Sequence, residues 1–316
     1  MDPEAACYSS AVSRARILAA VALVSGCGNP PAEVTPPEDS PAPDSPPAVG
    51  CVPFSHCVGL EEYQREIVGA LAGQAEISPG VTLAHRASVD EREATRVYLE
   101  EQFAELGITA TRHVYATGAN VIGTLPATEG TGGTLIVGAH FDSVPAGPGA
   151  ADNATGVAIV LATARYLRDV TPRHHPIVFA LFDEEELGLK GSRAYAASLD
   201  VESVAAAHVF DMLSFDGDAD RAVELWSPSA TLLPIYQEHG ALGTMPIQPV
   251  TFDRSDHQAF LERGIPAVGV GEEFESGDHT PHYHKATDTY DRVSFDHCAA
   301  VTHLAFSVLE ASVRTP

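Results

Sequence analysis

The stretch Leu135–Gly156, LIVGAHFDSVPAGPGAADNATG, constrains this chain more than any other. It reads as a buried strand that stops abruptly at His140 and Asp142 and, after a Gly/Pro loop, reaches Asp152. Open α/β sheets bind ligands in the crevice outside the carboxyl ends of their strands. An apolar run ending in a histidine and two carboxylates is therefore where such a sheet presents metal ligands.

The downstream pattern repeats the theme. Thr134–Ala139, Pro176–Phe182, Ala206–Phe210 and Pro266–Gly271 read as strands. Ala154–Val170, Leu187–Ala197, Pro228–His239, His257–Arg263 and Phe295–Ala311 read as helices. Upstream, Leu60, Tyr63, Ile67, Val68 and Leu71 fall at helical spacing within residues 60–73. Ser88-Val89-Asp90-Glu91 resembles a capping box opening a second helix, which Gly107 ends. Ile108–Tyr115 and Asn120–Leu125 are strand-like. The alternation predicts an α/β fold: one domain over residues 58–316, with a mostly parallel central sheet and helices on both faces.

Each downstream strand runs into metal-type side chains. The first leads to His140 and Asp142, and the next to Asp183-Glu184-Glu185-Glu186. Asp211 follows Phe210, and the last strand leads into a loop with Asp278, His279, His282 and His284. Histidine and carboxylates without a thiolate suit Zn²⁺ in an open catalytic site. One histidine with three or more carboxylates exceeds what a single tetrahedral zinc needs beside its water. Two metals sharing a carboxylate would use the whole set, and ions about 3.5–4 Å apart can hold a hydroxide and polarise a carbonyl together.

The motifs GAHFDSV, ADNATG, FDEEELGLKGS, FDM, RSDHQAF and YHKATDT, in that order over roughly residues 60–312, resemble the zinc aminopeptidases of metallopeptidase family 28 (clan MH). The resemblance implies an aminopeptidase with two Zn²⁺ ions that hydrolyses N-terminal residues from peptides through a metal-bridged hydroxide. It makes His140, Asp152 and Asp211 ligands of one zinc, and Asp152, Glu186 and His284 ligands of the other. It puts Glu185 in the place of the general base and Asp142 behind His140, where a carboxylate fixes the imidazole tautomer. It also implies a cis peptide between Asp152 and Asn153. The register of the acidic run rests on Leu187-Gly188-Leu189-Lys190-Gly191-Ser192, with Asp183 or Glu184 pointing inward as the alternatives. Lys285-Ala286-Thr287-Asp288-Thr289 favours His284, with His279 and His282 as fallback ligands; Lys285 departs from the small hydroxyl residue common there.

Ser255-Asp256-His257 does not make a serine nucleophile. Adjacent residues rarely form a triad and the chain has no G-x-S-x-G elbow, so these are read as pocket or supporting residues. Within the same fold, a glutaminyl cyclase-like acyltransferase with one zinc remains an alternative. So does a carboxypeptidase using Arg254 or Arg292, and so does a non-catalytic binding lipoprotein.

The N-terminus places the domain outside the cytoplasm. Arg14 and Arg16 precede a short apolar run, Ile17–Val24, well under the about 20 residues that span a bilayer. Val24-Ser25-Gly26-Cys27 resembles a lipobox, so residues 1–27 read as a signal with Cys27 as the lipidated residue. Residues 28–57 then form a Pro-rich acidic tether that cannot bury enough surface to fold. In an oxidising compartment one disulfide is expected, with Cys51–Cys57 favoured over a pairing of either with Cys298. The formal net charge of -25 argues against nucleic acid or anionic lipid as partners. Membrane contact is expected only through the lipid at Cys27.

Overall fold

The computed structural model describes residues 59–130 and 132–316. The expected signal, Cys27, the tether and the Cys51–Cys57 pair lie outside them, while Cys298 is a buried free thiol. The first helices, α1 (Leu60–Leu71) and α2 (Val89–Glu105), lead into strands β1 (Ala110–Val114) and β2 (Ala119–Leu125). The capping box at the start of α2 is formed: Ser88 Oγ accepts the Glu91 N–H, and the Glu91 carboxylate accepts the Ser88 N–H. Then follow β3 (Thr134–His140), α3 (Thr155–Leu167), β4 (Ile177–Phe182), α4 (Lys190–Ser198) and β5 (Val204–Asp211). The chain closes with β6 (Val223–Trp226), α5 (Leu233–Gly243), β7 (Ile247–Val250), α6 (His257–Leu261), β8 (Ala267–Gly271) and α7 (Phe295–Arg314).

The eight strands form one sheet in the order β1-β2-β4-β3-β5-β8-β6-β7. The centre, from β4 through β3 and β5 to β8, is parallel, as is the β6–β7 pair. β1, β2 and β6 join antiparallel, so the sheet is mixed at its flanks. Alternation sorts the central strands onto two hydrophobic clusters. Leu135, Val137, Phe179, Leu181 and Phe210 face the larger one, with residues of α1, α2, α3 and α7; Ile136, Ala180, Phe182 and Val209 face the smaller one, with residues of α4 and α6. From β3 the chain moves to β4 on one side and then to β5 on the other. That reversal makes β3–β5 a switch point, where strand ends open a crevice.

Two strands escaped the sequence reading. β6 is only VELW and is buried along its whole length, including Glu224, so it shows no alternation. β7 carries Pro249, which demotes a run to an edge strand or to none; as the last strand of the sheet, β7 tolerates it. The helix expected over 228–239 begins instead at Leu233, with Pro234 in its first turn, and the one expected from Leu187 begins at Lys190.

α2 reaches the sheet through Phe103, which is fully buried and packs beside Phe179 with ring centroids 6.4 Å apart. Gly123 of β2 makes the room, since a Cβ there would lie 2.8 Å from the Phe103 ring. Phe103→Ala is expected to cost about 3–5 kcal/mol and Gly123→Ala about 1–3 kcal/mol in chemical denaturation. A change under about 0.5 kcal/mol in both would mean that α2 is not held through this contact.

Candidate metal centre

His140 is the last residue of β3 and Asp211 the last of β5, so the two neighbouring parallel strands deliver them side by side. His140 Nε2 lies 3.3 Å from Asp211 Oδ1 and 3.3 Å from Oδ1 of Asp152, which sits in the turn leading into α3. The other Asp152 oxygen, Oδ2, lies 3.3 Å from His284 Nε2, which is itself 3.0 Å from Glu186 Oε2. Ligand atoms within each trio, His140/Asp152/Asp211 and Asp152/Glu186/His284, all lie within 4.8 Å of one another. Asp152 belongs to both and turns one oxygen to each.

The local chain is built to hold that aspartate. The Asp152–Asn153 peptide is cis, as the family resemblance implies. Asn153 Nδ2 donates to the Phe210 carbonyl (2.9 Å), while its Oδ1 accepts the N–H groups of Gly156 (2.9 Å) and Met212 (3.2 Å), which ties the turn to the end of β5. Asp288 accepts the N–H groups of Ala151 (2.8 Å) and Asp152 (3.1 Å). Burial pushes its carboxyl up to about 6. Beneath the Gly/Pro loop, the buried Arg86 guanidinium donates to the carbonyls of Phe141 (2.6 Å), Leu71 (2.8 Å), Pro148 (2.5 Å) and Gly149 (2.9 Å). Gly149 must be glycine: its φ is +67°, and a Cβ would meet the Asp152 carbonyl at 2.4 Å and Arg86 at 2.9 Å. Ser255 Oγ donates to Asp211 Oδ2 at 2.7 Å, and among the described residues no hydrogen bond joins Ser255 to His257.

The run Asp183-Glu184-Glu185-Glu186 is divided by position. Asp183 and Glu184 turn back to α2: Arg96 donates to Asp183 Oδ2 at 2.6 Å, and Arg92 to Glu184 Oε1 at 3.0 Å. Thr117 also donates to Glu184. Glu184 adopts a left-handed φ of 58°, and beyond it Glu185 and Glu186 face the cluster. Asp142 anchors this turn, accepting the N–H of Glu185 (3.0 Å) and of Glu186 (3.2 Å). Toward His140 Nδ1 it presents its carbonyl at 3.2 Å and its carboxylate at 3.5 Å. His279 stacks on Phe274 and His282 bonds Thr287, so neither joins either trio.

The donor set fits metal ions. Among the described residues Asp211 Oδ1 and Glu186 Oε1 are buried acceptors without a hydrogen-bond donor, which proteins rarely leave uncompensated. Contacts with Asp152 and Glu186 push His284 up to about 10. Burial alone would lower His140, but Asp211, Glu185 and their neighbours raise it well above the ordinary range. Both shifts report a strongly negative potential where the two trios meet. Imidazole nitrogen with carboxylate oxygen is a set that zinc accepts.

The model of peptidase family M28 matches residues 120–309. The chain belongs to that family. The probable lipoprotein aminopeptidase LpqL of Mycobacterium tuberculosis is 32% identical over 52% of this M28 chain and 40% of its own length. Leucine aminopeptidase 2 of Trichophyton equinum is 33% identical over 43% and 30%. The chain thus spans less than half the length of either curated relative. Among solved structures, the zinc aminopeptidase BSAP of Bacillus subtilis superposes with a TM-score of 0.59 at 25% identity, over 63% of this chain and 51% of that one. A glutaminyl cyclase of Porphyromonas gingivalis shares the fold, with a TM-score of 0.62 at 19% identity over 80% and 98%.

Arg86 lies in none of the motifs, and Asp288 lies within YHKATDT without a role attached to it; the structure brings both under the site. Asp288→Ala frees two N–H groups that aim Asp152. It is expected to weaken zinc binding by about 10–100-fold in competition with a chromogenic chelator, with the circular dichroism spectrum retained. Unchanged affinity would remove Asp288 from this role.

Proposed function

We propose that this M28 chain is an exported, dinuclear zinc aminopeptidase. The observation that carries the reading is Asp152, which offers one oxygen to each of two ligand trios. In this reading His140, Asp152 and Asp211 hold one ion and Asp152, Glu186 and His284 the other. Zinc held there would supply Lewis acidity to the scissile carbonyl and lower the pKa of water.

The chain's own residues supply the rest. Glu185 lines the same cavity as His140, Asp152, Asp211 and His284. Its N–H is fixed on Asp142, and burial raises its carboxyl well above the usual carboxylate range. A carboxylate so placed takes a proton from the attacking water onto its oxygen and returns it to the leaving amine nitrogen. The cavity's far wall is aromatic: Trp226 and Phe252 have centroids 4.4 Å apart, and Phe274 lies 5.6 Å from Phe252 and 5.3 Å from Tyr283. That wall suits an apolar N-terminal side chain. Arg254 lies over Phe252 and Phe274 and pairs with Glu275 at 3.3 Å. The name of the M. tuberculosis relative supports a lipid-anchored protein, and no described helix is long and apolar enough to cross a membrane.

Glu185→Gln is expected to retain two zinc ions per chain and lower kcat on a leucine anilide by about 10²–10⁴-fold. Substantial residual hydrolysis would take the base role from Glu185. One zinc per chain with ammonia release from a glutamine-starting peptide would replace hydrolysis by the cyclase reaction. For the anchor, Cys27→Ser is expected to shift the protein from the membrane to the soluble fraction; a variant that stays membrane-bound argues against lipid at Cys27.

A further inference from the structure

A second group of acids stands at the rim of the sheet. After β5, Asp216-Gly217-Asp218-Ala219-Asp220 places a carboxylate at every other position. The loop after β8 brings Glu273 and Asp278 against it. Oxygens of Asp216, Asp218 and Asp278 lie within 4.8 Å of one another, as do those of Asp218, Asp220 and Glu273, so Asp218 is common to both groups. Asp278 accepts the N–H groups of Gly217 (2.7 Å) and Asp218 (3.2 Å), which fixes one loop on the other. Among the described residues no Lys or Arg side chain pairs with any of these carboxylates, and the nearby Arg221 guanidinium turns instead to Asp296 at 3.1 Å.

An independent observation comes from behind the loop. His297, in the first turn of α7, is only 3% exposed, and among the described residues neither of its ring nitrogens has a hydrogen-bond partner. Its Nδ1 points at Asp216 Oδ2, 3.9 Å away. Carboxylates that ligate metals are themselves hydrogen-bonded from their outer side, and a buried donor with no other partner stands there for Asp216. Glu273, 6% exposed, gives one oxygen to Gln248 (2.5 Å) and has the acidic group in front of it.

We propose that Asp216, Asp218, Asp220, Glu273 and Asp278 form a calcium site that clasps the loops after β5 and β8. The donors are hard oxygens with no imidazole or thiolate among them, the set calcium takes six to eight at a time and zinc does not favour. One clasped loop begins beyond Asp211 and the other leads to His284, so calcium braces the supports of both ligand trios. The site does not depend on the zinc reading, because it is read out by binding and stability and not by turnover.

The test uses the zinc-loaded full chain in metal-stripped buffer, titrated with calcium chloride and, at matched ionic strength, with magnesium chloride. Saturable calcium binding is expected by calorimetry with Kd on the order of 10⁻⁴–10⁻³ M. Tm should rise by roughly 5 °C at saturation. Hydrogen exchange should slow within 213–222 and 272–280 and not elsewhere. Asp218→Asn should abolish the shift, while Glu202→Gln, on a distant 3₁₀ turn, should keep it. The proposal falls if about 10 mM calcium leaves Tm and exchange unchanged, if magnesium acts equally, or if the effect survives Asp218→Asn. Should Asp218→Asn not fold, exchange in the unaltered protein decides alone.

Discussion

Much of this structure follows from one buried carboxylate that must face two ways. Asp152 is 5% exposed and lies between two imidazoles, each 3.3 Å from a different one of its oxygens. A side chain can serve two partners only if its backbone is fixed, because a tilt that improves one contact lengthens the other. The chain meets this demand from three directions. Asn153 locks the turn to β5, Asp288 takes the N–H of Asp152 itself, and Arg86 holds the loop that returns from β3. Each comes from a different part of the sequence, so the geometry at Asp152 is a property of the whole domain.

The second constraint is charge. Asp142, Asp152, Asp183, Glu184, Glu186 and Asp211 are buried or nearly so around the strand ends, where like charges repel strongly. The chain divides them. Asp183 and Glu184 are neutralised by Arg92 and Arg96, which α2 carries one turn apart on the face turned to the sheet. Asp142 is satisfied by backbone N–H groups. Among the described residues Arg86 touches no carboxylate; its charge acts at longer range on Asp288, Asp142, Asp152 and Glu186 while its donors are spent on carbonyls. Of these acids, Asp211 and Glu186 keep an orphaned oxygen with no arginine beside it, next to the two histidines, and the proposed ions belong there.

That division explains what could be read from the sequence and what could not. The strands β3, β4, β5 and β8 are dense apolar runs, and residues at their ends are placed by the sheet itself, so His140 and Asp211 were legible as neighbours. Glu185 and Glu186 needed the family motif, because four consecutive acids have no periodicity of their own; the structure separates them by a left-handed step at Glu184 and by arginines about ninety residues away. Arg86 was illegible, since an isolated charge in a loop reads as solvent-exposed until tertiary contacts bury it; Asp288 stands in the YHKATDT motif, but its hold on the Ala151 and Asp152 N–H groups exists only after folding. β6 failed for a related reason: a four-residue strand buried on both faces, with Glu224 inside, has no polar side to reveal it. Glu224 is there because its carboxylate accepts the Trp226 indole N–H (3.0 Å) and the Glu275 and Ser276 N–H groups (3.0 and 2.8 Å), contacts that exist only after folding.

The two ligand trios are therefore not equivalent. His140, Asp152 and Asp211 are all buried, two of them are strand termini, and hydrogen bonds in the sheet fix their spacing. The other trio grades from buried Asp152 through Glu186 to His284, whose side chain is 39% exposed and whose φ of 55° sits in the left-handed region that a histidine adopts rarely. His284 hangs from a loop, so its position depends on contacts within that loop, chiefly Tyr283 stacked against it with centroids 3.8 Å apart and Phe274 edge-on to Tyr283. The same aromatics wall the cavity. In the proposed enzyme, a substrate side chain packing on Phe274 and Tyr283 would press on the support of His284 rather than on the strand-held His140. In the proposed enzyme the strand-held trio is the fixed half of the centre and the loop-held trio the half that substrate can adjust.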